Sequence, residues 1–115
     1  MRESQYRREV VCRWIWKARS DLKVAELLLR EGFLGESAFH SQQAVEKALK
    51  ATLVALGERP PRTHRVELLL ELIARSGVDV ESLRVLGLES LSSYAVEARY
   101  PDLGEEPTEK EARRL

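Results

Sequence analysis

Cysteine occurs once in this 115-residue chain, at Cys12, which excludes an intrachain disulfide and a cysteine-rich metal site. Histidine occurs twice, at His40 and His64, without the Asp, Glu or Cys spacing of a ligand set, so no metal site is expected. Asn is absent, Met occurs once, and the basic residues are mostly arginine. A hot habitat or a GC-rich genome would each give that composition. Neither sign of charge prevails: nineteen Lys and Arg balance nineteen Asp and Glu, so no global field draws in nucleic acid or an anionic membrane. A local basic patch remains compatible with that balance. No apolar run approaches the roughly 20 residues of a membrane span, and the charged N-terminus has no signal-peptide core. A glycine-rich phosphate loop is also missing, since Gly32-Phe33-Leu34-Gly35 reads as a turn. The expectation is a soluble, cytoplasmic protein of one domain over residues 1–115, burying roughly two-thirds of its unfolded surface.

What is present is helical periodicity. Apolar residues make up 43% and charged residues 33%, ordinary for a globular chain and too apolar for disorder. The spacing predicts a long first helix from about Ser4 to Arg30, with Val11, Ile15, Ala18, Leu22, Ala25 and Leu29 as its stripe. Trp14 flanks that stripe and Asp21 lies beside it. The short turn at 32–35 implies an antiparallel hairpin. In the second helix Ala38, Gln42, Val45, Leu49, Thr52 and Leu56 recur at steps of three and four. Gly57 and Pro60-Pro61 end it. A third helix, about His64 to Arg75 with Thr63 as its N-cap, is apolar nearly all round, at Val66, Leu68, Leu69, Leu70, Leu72 and Ile73. Asp79 caps a short segment from Glu81 to Leu86. Leu88, Leu91, Ala95 and Ala98 form a fourth stripe ending before Pro101. Thr108-Glu109-Lys110-Glu111 fits a capping box for a short last helix. No strand alternation appears. The fold class expected is all-α: an antiparallel up-and-down bundle of four main helices plus a short C-terminal helix.

The polar residues on the second helix stand out against this background. Gln42 lies within the apolar stripe, with Glu46 and Lys50 along its edge. A buried amide needs a hydrogen-bonding partner, so Gln42 calls for one on another helix or another chain. Glu46 and Lys50 stand four apart in the order that favours an ordinary intrahelical pair. With Gln42, Gln43 and Arg99 they can equally form a polar network that sets helix register or a dimer seam. Arg99 can clamp a phosphate or carboxylate, or simply neutralise helix-end carbonyls. Tyr100-Pro101-Asp102 reads as a helix stop. His64 is placed in the first turn of the third helix, with Asp21 as its expected acceptor, and His40 is placed in solvent. Trp14 and Trp16 cannot both face the core, and Trp16 or Phe39 can mark an interface. Cys12 is expected to be a small buried or edge residue.

Four stretches together resemble the HEPN domain, named for higher eukaryotes and prokaryotes nucleotide-binding. They are Trp14, Ala18, Asp21-Leu22 and Ala25; Ser41-Gln-Gln-Ala-Val-Glu-Lys-Ala-Leu-Lys-Ala51; Thr63-His64; and Tyr94 with Arg99-Tyr100-Pro101-Asp102. The resemblance implies a helical bundle that dimerises. Prokaryotic members are often encoded beside a minimal nucleotidyltransferase, and many such pairs act as toxin and antitoxin. On that basis the partners expected are a second copy, a small nucleotidyltransferase, and a nucleotide or RNA, with no membrane and no cofactor other than a nucleotide ligand. Arg99, Tyr100, Lys50, Glu46, Gln43 and His64 are the binding candidates. Some branches of the superfamily are metal-independent ribonucleases, marked by Arg followed four to six residues later by His near the end of the last core helix. Here Arg99 is followed at that distance by Gly104, Glu105 and Glu106. Arg59-Pro-Pro-Arg-Thr-His64 has the spacing but sits in a proline loop. Whether the chain is an enzyme therefore stays open, with Arg99 and His64 as catalytic candidates and His64 or Glu46 as a non-standard base.

Overall fold

From Glu3 to Arg30 no glycine or proline interrupts the chain, and it forms one helix, α1 (Glu3–Arg30). A computed structural model describes residues 2–85, apart from the side chains of Leu83 and Val85. It is all-helical, with α2 (Leu34–Ala55), α3 (Val66–Arg75) and the short α4 (Glu81–Val85), and without a strand among the described residues. The fourth stripe, the capping box, Arg99 and Tyr100 lie outside the described residues.

Each of the two long helices ends in a glycine with positive φ. At Gly57, φ is +85°, its N–H donates to Val54 O at 2.9 Å, and the Glu58 N–H donates to Leu53 O at 2.9 Å. That pair of bonds satisfies carbonyls the last turn would otherwise leave open, and it requires a left-handed residue, where glycine has no Cβ to clash. Gly32 repeats the arrangement, with Phe33 N–H donating to Leu28 O at 2.9 Å. The turn then consumes so few residues that α2 already contains Gly35, which is buried.

Contacts between α1 and α2 run in opposite chain order. Ser37 meets Ala25, His40 meets Asp21, Lys50 lies over Trp14, and the end of α2 at Gly57 approaches Arg7. The two helices are therefore antiparallel, and their seam is lined by small residues: Ala18, Ala25, Gly35, Ser37, Ala38 and Ser41 are all buried. Small side chains let two helix backbones approach closely and pack ridge into groove. The larger apolar residues gather where α2 meets α3. Leu49, Leu53, Val66, Leu69, Leu70, Ile73 and Val80 form the buried cluster, with Val45, Leu72 and Ala74 packed against it.

Several boundaries and faces differ from the periodicity reading. Leu22 is exposed, as are Thr52 and Leu56, while Ser41, Glu46, Lys50, Ala51 and Leu53 are buried. The inward face of α2 is wider than a stripe of steps three and four, because α1 covers one side and α3 the other. α3 begins at Val66, so His64 precedes it. Arg65 holds the N-cap position without a side-chain bond, and Thr63 Oγ1 instead accepts the Arg65 N–H at 3.1 Å, closing a local turn. Asp79 Oδ1 accepts the Glu81 N–H at 3.0 Å at the start of α4.

Candidate functional site

The seam between α1, α2 and the loop before α3 holds a buried carboxylate surrounded by donors. Glu46 is 3% exposed. Its Oε1 accepts from Lys50 Nζ at 3.1 Å, and its Oε2 accepts from Gln42 Nε2 at 3.2 Å and Gln43 Nε2 at 3.5 Å. His64 Nδ1 lies 3.0 Å from Oε1 and 3.2 Å from Oε2. A carboxylate oxygen accepts and an imidazole N–H donates, so this contact is a hydrogen bond in the tautomer that carries its proton on Nδ1. Helical spacing puts residues 42, 46 and 50 on one face of α2, and the proline-bearing loop delivers His64 to its edge. Gln42 makes a second bond, Nε2 to His64 O at 3.2 Å, and its Oε1 accepts from Gln43 Nε2 at 2.9 Å. This amide is thus satisfied at both ends, as burial requires.

Lys50 is 8% exposed, with its ammonium 5.6 Å from the centre of the Trp14 ring. A cation over an aromatic face recovers part of the hydration lost on burial. Trp14 is half-buried against this cation, whereas Trp16 is 70% exposed. The His64 side chain is 83% exposed although its Nδ1 reaches a buried carboxylate. The cluster therefore runs from the interior, at Glu46 and Lys50, to the surface at the His64 ring.

A second cluster lies further along the same seam. Asp21 pairs with Lys47, and its Oδ1 faces His40 Nδ1 at 3.2 Å. The His40 ring is half-buried and packs edge-on to Phe39, with centroids 5.3 Å apart. This corrects two expectations. Asp21 is paired with His40 rather than His64, because the antiparallel register brings residue 40 beside residue 21, while the loop before α3 sets His64 against Gln42 and Glu46. His40 is an interhelical residue rather than a solvated one. Cys12 is exposed, contrary to the buried or edge position expected of it. Outside both clusters, Arg65 Nε donates to Glu67 at 2.8 Å and holds the Glu67 carboxyl below its ordinary range, assisted by a backbone hydrogen bond.

Among the six binding candidates, the structure brings Gln43, Glu46, Lys50 and His64 together. Arg99 and Tyr100 lie outside the described residues. Sequence reasoning did not single out Trp14 as the cover for Lys50. The signal was present only as an aromatic at the edge of one stripe and a lysine at the edge of another, and the antiparallel register decides that they meet.

Among the described residues the protein is an all-helical domain whose two longest helices bury a charged, hydrogen-bonded cluster between them. The chain belongs to the HEPN domain family, whose model matches residues 11–115. A curated relative, "Putative toxin MJ1304" from Methanocaldococcus jannaschii, is 48% identical over 44 residues, which is 38% of this chain and 29% of that protein. The match thus spans less than a third of the relative's length. No solved structure matches the chain.

Proposed function

We propose that this chain is a toxin-like HEPN protein that works by pairing, first with a second copy of itself and then with a minimal nucleotidyltransferase or a nucleotide. The observation that carries the reading is the burial of Glu46 and Lys50 in a network ending at the exposed His64 ring. Apolar residues of similar volume would serve stability as well or better, so a buried ion pair is weak as a stabilising device and more telling as a recognition one. Family membership supports the pairing, and so does the name of the toxin-like relative. In this reading residues 88–98 supply a fourth long helix of an up-and-down bundle. Arg99 and Tyr100 at its end join Lys50, Glu46, Gln43 and His64 around one cleft. The protein acts as a single cytoplasmic domain. No described helix is long and apolar enough to cross a membrane.

The test is light scattering on the purified protein, alone and after co-expression with the adjacent reading frame. The expected result is a dimer that shifts to a stable mixed complex, and that loses the shift in Arg99→Ala and Lys50→Met. A monomer that recovers no partner overturns the reading.

A second reading is favoured by one observation: Glu46 holds His64 by Nδ1 while the ring stays exposed. A carboxylate that orients an imidazole in this way sets it up as a general base. RNA cleavage without metal would follow: the 2′-hydroxyl gives its proton to His64 as its oxygen bonds the adjacent phosphorus, Arg99 holds the phosphate, and the P–O5′ bond breaks with the leaving oxygen taking a proton from water. It predicts cleavage by the partner-free protein that disappears in His64→Ala and in Arg99→Ala. Intact RNA after prolonged incubation with the partner-free protein would rule it out.

A further inference from the structure

The balanced net charge conceals an uneven distribution, and α1 carries a surplus of cations. Its outer face, turned away from the small-residue seam, bears Arg8, Arg13, Lys17, Arg19 and Lys23, all exposed. None of these five makes a salt bridge among the described residues, whereas Arg7, near the start of the helix, pairs with Glu3 at 3.7 Å. Amid them stand two exposed aromatics, Trp16 at 70% and Tyr6 at 57%. A shallow depression lined by Cys12, Arg13, Trp16 and Lys17 places the indole beside two cations.

We infer that the outer face of α1 binds single-stranded nucleic acid. The inference does not depend on the pairing proposed above. Unpaired cations on an exposed face attract a polyanion, and the gain comes from releasing its condensed counterions. Arg8, Arg13, Lys17 and Lys23 stand four to six residues apart on the exposed half of α1, a rise of about 6 to 9 Å from one to the next, which is of the same order as the step between phosphates of an extended strand. From Arg8 to Lys23 the helix rises about 22 Å, enough for a run of a few nucleotides. The indole of Trp16, with Arg13 and Lys17 beside it, offers one base a stacking surface next to two phosphate contacts, the combination found in sequence-tolerant single-strand binders. An anionic membrane is a poorer fit. Glu9 and Lys23 fall close to the Trp16 line of the helix and interrupt any continuous apolar stripe that could enter lipid.

The experiment is fluorescence anisotropy of labelled oligo-uridine and oligo-deoxythymidine, each about sixteen nucleotides, titrated with the full chain at about 50 and 200 mM salt. Binding that weakens steeply with salt is expected, and the two probes tell whether RNA is preferred over DNA. Trp16→Ala should bind about tenfold more weakly, while Trp16→Phe retains most of the affinity. Reversing Arg13 and Lys17 to Glu should reduce the salt slope by about 1.4, from two lost phosphate contacts. Arg75→Glu, on α3, should change little. Circular dichroism checks that each variant keeps its helices, and because residues 13, 16 and 17 are exposed no loss of fold is expected. No binding of either probe at low salt overturns the inference, as does binding that ignores both the Trp16→Ala and the charge-reversal changes. Capture by phosphatidylserine vesicles in place of the oligonucleotides would assign the face to membrane and overturn it equally. Failure of the nucleotidyltransferase pairing would leave these outcomes untouched, since that test reads Arg99 and Lys50.

Discussion

Glu46 receives hydrogen bonds from Gln42, Gln43, Lys50 and His64 at a depth where its exposure is 3%. In such a place a hydrogen-bonded charge is tolerated and an unpartnered one is not. Glu46→Gln should therefore strand the Lys50 ammonium and lower stability by about 3 kcal/mol. Adding Lys50→Met should restore most of that loss, because the stranded charge is then gone. Urea denaturation of the two variants checks this, with an equal loss in both counting against the ion-pair account. His64→Ala should cost under about 1 kcal/mol, since its ring is largely in water and a pair with one exposed member is screened. A residue that is nearly neutral for stability yet needed for partner or RNA chemistry is the pattern a recognition role requires.

At the scale of the element, the α1–α2 seam depends on side chains being small. Ala38 is 1% exposed, and Ser37 Oγ donates to Ala25 O at 2.8 Å across the seam. A larger side chain at 38 has nowhere to go without separating the helices, and overpacking of this kind costs about 1–3 kcal/mol. Ala38→Leu should thus lower the unfolding midpoint by several degrees, whereas Thr52→Leu, on the exposed side of the same helix, should leave it nearly unchanged. Equal midpoints for the two would mean the seam is looser than its burial indicates. Much of this element was legible in the sequence. Ala18, Ala25 and Ala38 fall on stripes of steps three and four, and Gly32 and Gly57 mark both helix ends. Leu22 was misassigned for a physical reason: a long helix of α1's length turns part of its apolar row away from the partner that covers it, and periodicity alone does not say where coverage stops.

For the molecule as a whole, the polar cluster and the cationic face belong to opposite sides of α1. Trp14 on the inner side covers Lys50, and Trp16 on the outer side stands in solvent. Sites without shared contacts add nearly independently. Reversing Arg13 and Lys17 should leave the proposed partner complex intact in light scattering, and Lys50→Met should leave oligonucleotide affinity within about twofold. Strong mutual dependence would mean that one surface serves both.

The sequence by itself determined that the described chain is helical, where its long helices run, and to which family it belongs. Those properties follow from local periodicity, from glycine at positions that need positive φ, and from motifs read in order. It also marked Gln42, Glu46 and Lys50 as polar residues out of place on a packed helix. Only the tertiary structure decided how deep they lie, that Glu46 rather than Asp21 receives His64, that Asp21 joins His40 and Lys47, and that Trp14 covers Lys50. The physical reason is register: which residue of α1 stands beside which residue of α2 depends on how the small residues of both helices mesh, and that is a property of the pair.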